Sequence, residues 1–372
     1  MKTAPLIGSA EALAVKRILI INVTRIGDTL LNTPAIRAIV RHFPNAAITC
    51  LGHAKRVEVL HHLPYLAKVG EIDKRSALYR GRLGFLRNLT GERYDWAFVW
   101  GQDEALHDYA LRKADRVVGY TQKNTTLNKR LYHAAVEPKL YSLHGVAMQL
   151  ALPFSVGIAA DGYGLDYVAT GRELLEAKVQ LARLGRLAGD LGTNPKPVIG
   201  LQVASFPTKA YRDWPIEQFI ALGVRIVKSH PRAHFCLFGG LDDRERTAIF
   251  KNLLPDNTTV YAGELSLRET AAIMHEIDLY IGVDTGPTHL FGALGKPMVA
   301  MYHPTLPSAL YKPLQHPALY VVDHPRAGTT TDATVPMADI SVEMVWDRVA
   351  DALAGVASQF PGMPAVGINI AL

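Results

Sequence analysis

The chain has 372 residues, of which 49% are apolar and 20% charged, and a formal net charge of +6. That length exceeds one average domain, and the composition is ordinary for a globular protein that buries full cores, so two domains are expected. No apolar run reaches the roughly 18 to 20 residues that cross a bilayer, and Cys50 and Cys236 stand far apart without a CxxC or Cys/His spacing, which excludes a disulfide framework and fits a reducing cytoplasm.

Residues 1–15 read as a loose leader, and the first apolar run, 18–23, is followed by Thr24, Arg25 and Asp28 rather than by a cleavage site, so an unexported protein is expected. Strand and helix signals then alternate: strands at 17–23, 47–51, 96–100 and 116–119, with a helix over 33–42. Such alternation predicts a parallel sheet with helices on both faces. A helical, glycine-bearing stretch at 171–194, closed by Pro195 and Pro197, reads as a linker over 171–196. A second strand series follows at 197–203, 234–240, 259–261, 279–283 and 297–302. The spacing of Ile340, Val342, Val345, Trp346, Val349 and Leu353 predicts a helix over 339–354, and 355–372 reads as a tail. The fold class is therefore α/β: a domain at 16–170, another at 197–338, and ligand in the crevice at the carboxyl ends of the strands.

The net charge hides an asymmetry. Residues 1–150 carry 22 Lys and Arg against 12 Asp and Glu, net +10, whereas the remainder is −4, so the first half is suited to an acidic or phosphorylated partner. Its densest part holds Lys74, Arg75, Arg80, Arg82, Arg87 and Arg93 among Leu78, Tyr79, Phe85, Leu86 and Leu89. This is either a surface for anionic lipid or the solvated face of a helix. No aromatic-basic RNA motif or helix-turn-helix pattern accompanies it, which argues against nucleic acid.

Three segments are placed to carry chemistry. After the first strand, the run Thr24 to Ile36 holds one glycine where a GxGxxG dinucleotide loop needs three, which disfavours a nicotinamide enzyme. Its Asp28 stands either as a general base for a substrate hydroxyl or as a helix cap. After the first strand of the second series, Lys209 and Arg212 are close enough to converge on one phosphate, and Pro215 opens the next helix. Gly282 to Leu290 reads as a strand breaking into a helix, with Gly286 giving the tight turn and Pro287 suited to the first position, so its open backbone N–H groups favour an anion such as a diphosphate. His289 either reaches that ligand or anchors the helix. His53, His61 and His62 lack the carboxylate spacing of a metal site.

The order of these segments, xxxIGDxxxxTPAIRAI, a basic loop ending in Trp214-Pro215, and GxDTGPTHLxxALGKPxVAxYxPT, resembles glycosyltransferase family 9, the bacterial heptosyltransferases. Tyr94-Asp95-Trp96 and Arg116 to Tyr120 are similar to further family landmarks, and the likeness runs from about Lys16 to Leu353. The resemblance implies a GT-B architecture of two Rossmann-like domains, with a nucleotide-sugar donor, ADP-heptose in the named members, held by the second domain. A phosphorylated or acidic glycolipid acceptor, of the lipopolysaccharide core type and lying at the inner face of the inner membrane, falls to the first. It implies inverting chemistry without a metal or other cofactor, with Asp28 as base, Asp284 positioning the donor, and Thr285 and Gly286 at the diphosphate. It also places a ribose contact at Asp242, Asp243 or Glu245. Where the family carries Lys two residues before the tryptophan, this chain has Arg212, followed by Asp213; a planar guanidinium is not equivalent to an ammonium. A family member using another sugar, and a non-catalytic glycan- or nucleotide-binding homologue, are the alternatives.

Overall fold

A computed structural model describes residues 7–72, 92–183 and 196–359. Lys74, Arg75, Arg80, Arg82 and Arg87, five of the six cations singled out in the basic segment, lie outside the described residues. The chain divides into two compact units, Met1–Val168 and Ala169–Leu372.

In the first unit six strands form one sheet: β1 (Arg17–Asn22), β2 (Ala47–His53), β3 (Lys68–Ile72), β4 (Tyr94–Val99), β5 (Ala114–Tyr120) and β6 (His133–Ala135). Their order is β3-β2-β1-β4-β5-β6, and every pairing is parallel. The apolar run of β1 is buried from Ile18 to Ile21, as a strand covered on both faces requires. The helix Thr33–His42 follows the predicted boundaries. Two of its residues tie down a distant segment: Thr33 Oγ1 accepts from the Asp166 N–H at 2.9 Å, and Arg37 donates to the Asp161 carbonyl at 2.8 Å and to the Asp166 carboxylate. Residues 9–14, expected to be loose, form a helix, Ser9–Ala14, with Ala12 and the flanking Ile7 and Val15 buried. Burial of those three side chains supplies the order that a stretch without strong periodicity did not announce.

The second unit repeats the plan. Its strands are β7 (Val198–Gln202), β8 (His234–Phe238), β9 (Thr258–Val260), β10 (Leu279–Val283), β11 (Met298–Tyr302) and β12 (Leu319–Asp323). They are ordered β12-β11-β10-β7-β8-β9, the same winding, with the first strand of the unit again at the centre. All of β7, β8, β10 and β11 is buried. The helix Val342–Gln359 covers this sheet through Val345, Val349, Ala352 and Leu353. The helix Gly171–Arg183 lies on Leu267–His275 within this unit, joined by Arg268 to Glu173 bonds of 2.5 and 2.7 Å.

Candidate functional site

The carboxyl ends of β7 and β10 are neighbours at the point where strand order reverses, the position at which doubly wound sheets open a crevice. The two segments that the sequence marks for anions leave from those ends. Asp284 follows β10 and donates its N–H to the Met301 carbonyl at 3.0 Å, which keeps it in line with β11. The turn beyond is pinned from inside: Thr288 Oγ1 donates to the Val283 carbonyl at 2.5 Å and accepts from the Tyr280 hydroxyl at 3.0 Å. Gly282 permits this, because a Cβ there would stand 2.7 Å from the Tyr280 oxygen. The helix Gly286–Gly292 is short, and its N-terminus is less open than its sequence implies. The N–H groups of Thr288 and His289 both bond to the Thr285 carbonyl, at 3.1 and 3.3 Å, and Pro287 has none. The backbone donors left for an anion are those of Thr285 and Gly286.

The segment after β7 forms a tight turn, Pro207–Arg212, kinked at Lys209. Asp213 explains itself here: its carboxylate accepts from the Ser205 N–H at 2.7 Å and hydroxyl at 2.6 Å, closing the loop on itself. Burial raises the Asp213 carboxyl, against the pull of those bonds and of Arg246 and Arg212. Arg246 donates to the Val203 carbonyl at 2.9 Å and to the Trp214 carbonyl. Trp214 is fully buried, its indole N–H donating to the Ile340 carbonyl at 2.7 Å.

The two segments meet. Arg212 Nη1 donates to Asp284 Oδ2 at 3.1 Å, with side chains 12% and 4% exposed. His289 Nε2 stands 3.3 Å from Asp284 Oδ1, without the alignment of a hydrogen bond. Among the described residues, Arg212 Nε, Asp284 Oδ1, His289 Nδ1 and the Tyr302 hydroxyl are all buried without a hydrogen-bond partner. Orphaned buried polar atoms are costly and uncommon, and an orphaned carboxylate oxygen together with three orphaned atoms of Arg212, His289 and Tyr302 marks a place prepared for polar groups of a ligand or water. Burial first, then the carboxylates of Asp284 and Asp323, push the Tyr302 phenol well above its ordinary range, so it stays a neutral donor.

Lys209 and Arg212 share an aromatic neighbour: the Lys209 Nζ and the Arg212 guanidinium each lie 5.7 Å from the centre of the Tyr211 ring. That ring meets His303 edge-on at 5.0 Å. Tyr302 and His303 were not singled out from the sequence; the available signal was their position at the end of a buried strand beside β10. Of the three ribose candidates, Asp243 folds back to accept from the Gly240 N–H at 2.8 Å, while Asp242 and Glu245 are exposed.

In the first unit, Asp28 occupies the corresponding place, past the end of β1 where the order of that sheet reverses. It is half-buried and accepts from the Thr24 hydroxyl at 3.2 Å. Arg25 takes the N-cap of the helix Ile26–Leu31, and Asn32 that of the next, so Asp28 belongs to a first turn and is not a cap. Arg56 donates to the Thr24 carbonyl at 3.1 Å. Burial and Arg25 lower the Arg56 guanidinium, and the charge of Asp28 opposes them, so the carboxylate lies within a cationic field. Among the described residues no group of three or more His, Cys, Asp or Glu side chains gathers as a metal site.

A family model described as glycosyltransferase family 9 (heptosyltransferase) matches residues 85–337. The chain is 21% identical over 313 residues to the lipopolysaccharide core heptosyltransferase OpsX of Haemophilus influenzae, covering 82% of this chain and 84% of that protein. Among solved structures it is similar to a family 9 glycosyltransferase from Veillonella parvula, with a TM-score of 0.75 at 20% identity over 95% of this chain and 100% of that one. It is also similar to E. coli ADP-heptose lps heptosyltransferase II, with a TM-score of 0.72 at 20% identity over 92% and 99%.

Proposed function

The chain belongs to glycosyltransferase family 9 and has the α/β GT-B fold of its structural neighbours, and from that premise we propose that it transfers heptose from ADP-heptose, with inversion, onto a lipopolysaccharide core acceptor. The observation that carries the donor half is the buried Arg212–Asp284–His289 group, whose three orphaned polar atoms are joined by the orphaned hydroxyl of Tyr302. Arg212, Lys209 and the N–H groups of Thr285 and Gly286 receive the diphosphate, and a ribose hydroxyl falls to Asp242 or Glu245.

In the proposed reaction Asp28 takes the proton of an acceptor hydroxyl. The freed oxygen forms a bond to the anomeric carbon as the bond from that carbon to the diphosphate oxygen breaks, and the nucleoside diphosphate leaves with the electron pair. Attack opposite the leaving group inverts the configuration. A positioned base contributes about 10² to 10⁴ in rate, and fixed cations at the leaving group act where charge develops. The scheme assigns that charge to side chains rather than to a metal, so turnover is expected to survive EDTA.

The excess of positive charge in residues 1–150 supports a phosphorylated or acidic glycolipid acceptor, met at the cytoplasmic face of the inner membrane. No helix among the described residues is long and apolar enough to cross a membrane, and the contact is proposed as peripheral, through Arg80, Arg82 and Arg87.

The experiment is a thermal-shift screen of ADP-, UDP- and GDP-sugars, followed by turnover of Asp28→Asn. Stabilisation by ADP-heptose, with turnover down about 10² to 10⁴ and donor affinity retained in Asp28→Asn, supports the reading. Full activity in that variant removes Asp28 as the base, and stabilisation by another sugar nucleotide alone reassigns the donor.

A further inference from the structure

We propose that Tyr211 is the positioning residue of the cationic loop, its ring braced on His303 and serving as the platform that brings Lys209 and Arg212 to one phosphate-bearing ligand. The inference rests on the donor reading above and adds to it the means by which two like charges are held against one ring before any ligand arrives.

Lys209 and Arg212 are three residues apart on a turn, and in water their charges favour separation. Here both lie at 5.7 Å from the same ring, within the range where the negative face of an aromatic attracts a cation. Arg212 has a second anchor in Asp284. Among the described residues Lys209 has no ion pair, so the ring is the charged-group contact that orients its ammonium and shortens the list of rotamers it must abandon on binding. A half-exposed tyrosine on a loop makes a poor platform unless its own ring is fixed, and His303 fixes it. That imidazole is 1% exposed and packs edge-on to Tyr211 at 5.0 Å and 78°. Its Nε2 donates to the Val335 carbonyl at 2.9 Å, and its Nδ1 accepts from the Thr305 N–H at 3.2 Å, so it is held at both nitrogens. The order of support thus runs from the segment after β11, through His303 and Tyr211, to the two cations after β7.

The test is calorimetric titration of ADP, UDP and GDP into the full chain, with donor KM and kcat measured beside it. Tyr211→Leu is expected to weaken nucleotide binding and raise donor KM by about threefold to thirtyfold, with kcat within about twofold, and Tyr211→Phe to restore both. In a Lys209→Gln, Arg212→Gln background, Tyr211→Leu is expected to add no further loss, because the platform then has nothing to hold. His303→Leu removes the brace without altering the loop sequence and is expected to raise KM in the same direction by less. Wild-type affinity in Tyr211→Leu, while Arg212→Gln binds weakly, overturns the platform and leaves the donor reading standing. Undiminished loss from Tyr211→Leu in the doubly substituted background also overturns it, by showing that the ring acts on the ligand or the fold directly. If neither Lys209→Gln nor Arg212→Gln changes affinity for any of the three nucleotides, the donor reading itself falls. Should Tyr211→Leu fail to fold, the His303→Leu and Tyr211→Phe pair decides: unchanged KM in the former, or raised KM in the latter, removes the platform.

Discussion

Asp284 and Arg212 form an ion pair where water scarcely reaches, with side chains 4% and 12% exposed. Removing one member of such a pair strands a buried charge. Asp284→Ala is expected to destabilise the second unit by about 3 kcal/mol, read by urea unfolding. Asp284→Ala with Arg212→Met is expected to cost less than the sum of the single changes, and strict additivity would show that the two side chains do not act as a pair. The sequence brought both residues forward, but not their contact, which joins positions 72 apart in the chain; spacing alone carries no such distance. Other motif residues proved to serve the framework. Thr288 bonds back to the end of β10, Arg37 secures the 161–166 segment, and Lys296 donates to the His275 carbonyl at the end of a helix. A motif read from one sequence does not separate these roles, because a side chain that shapes a turn and one that touches a ligand are equally restricted in type.

At the scale of elements, the helix Gly171–Arg183 shows how a presumed linker is claimed by a domain. Glu173 accepts from Thr170 as well as from Arg268. Burial alone would raise its carboxyl, but the bonds from Arg268 and Thr170 outweigh that and hold it at about 2. A carboxylate depressed in the folded state contributes stability above its unfolded value near 4.3 and loses it as pH falls toward 2. Glu173→Gln is therefore expected to lower stability by about 2 kcal/mol at pH 7, and to flatten the acid limb between about pH 4.5 and 2 in melting experiments. An unchanged acid limb would mean that the pair does not form in solution. Burial separates most of the strands legible in the sequence from the rest. The expected strands match β1, β2, β4 and β5, and all of the second series except β12. Three of the four edge strands, β3, β6 and β12, were not expected and are only partly buried; the fourth, β9, is equally partly buried but was legible through its run of Thr259, Val260 and Tyr261. An edge strand needs no continuous apolar run, and the pattern that announces a central strand is missing there.

For the whole molecule, the two sheets carry separate hydrophobic cores, one formed from residues 19–131 and the other from residues 199–353. Each unit therefore has the means to fold as a unit. A fragment spanning residues 169–372 is expected to melt cooperatively and to retain nucleotide affinity within about threefold of the intact chain, without transferase activity. A fragment that folds but no longer binds nucleotide would place part of the donor site in residues 1–168. The shared winding has a consequence for synthesis. In each unit the strand that leaves the ribosome first, β1 or β7, is the one that ends in the middle of its sheet. Each sheet is thus obliged to grow outward from its earliest strand, first to one side through β2 and β3 or β8 and β9, then to the other. Until β4 or β10 is made, a strand built around a buried apolar run has one edge uncovered. The interval between translating β1 and β4, or β7 and β10, is the period in which the nascent chain is most exposed to wrong pairing. Slowing translation within 23–93 or 203–278 should therefore raise aggregation more than the same delay placed after β5 or β11.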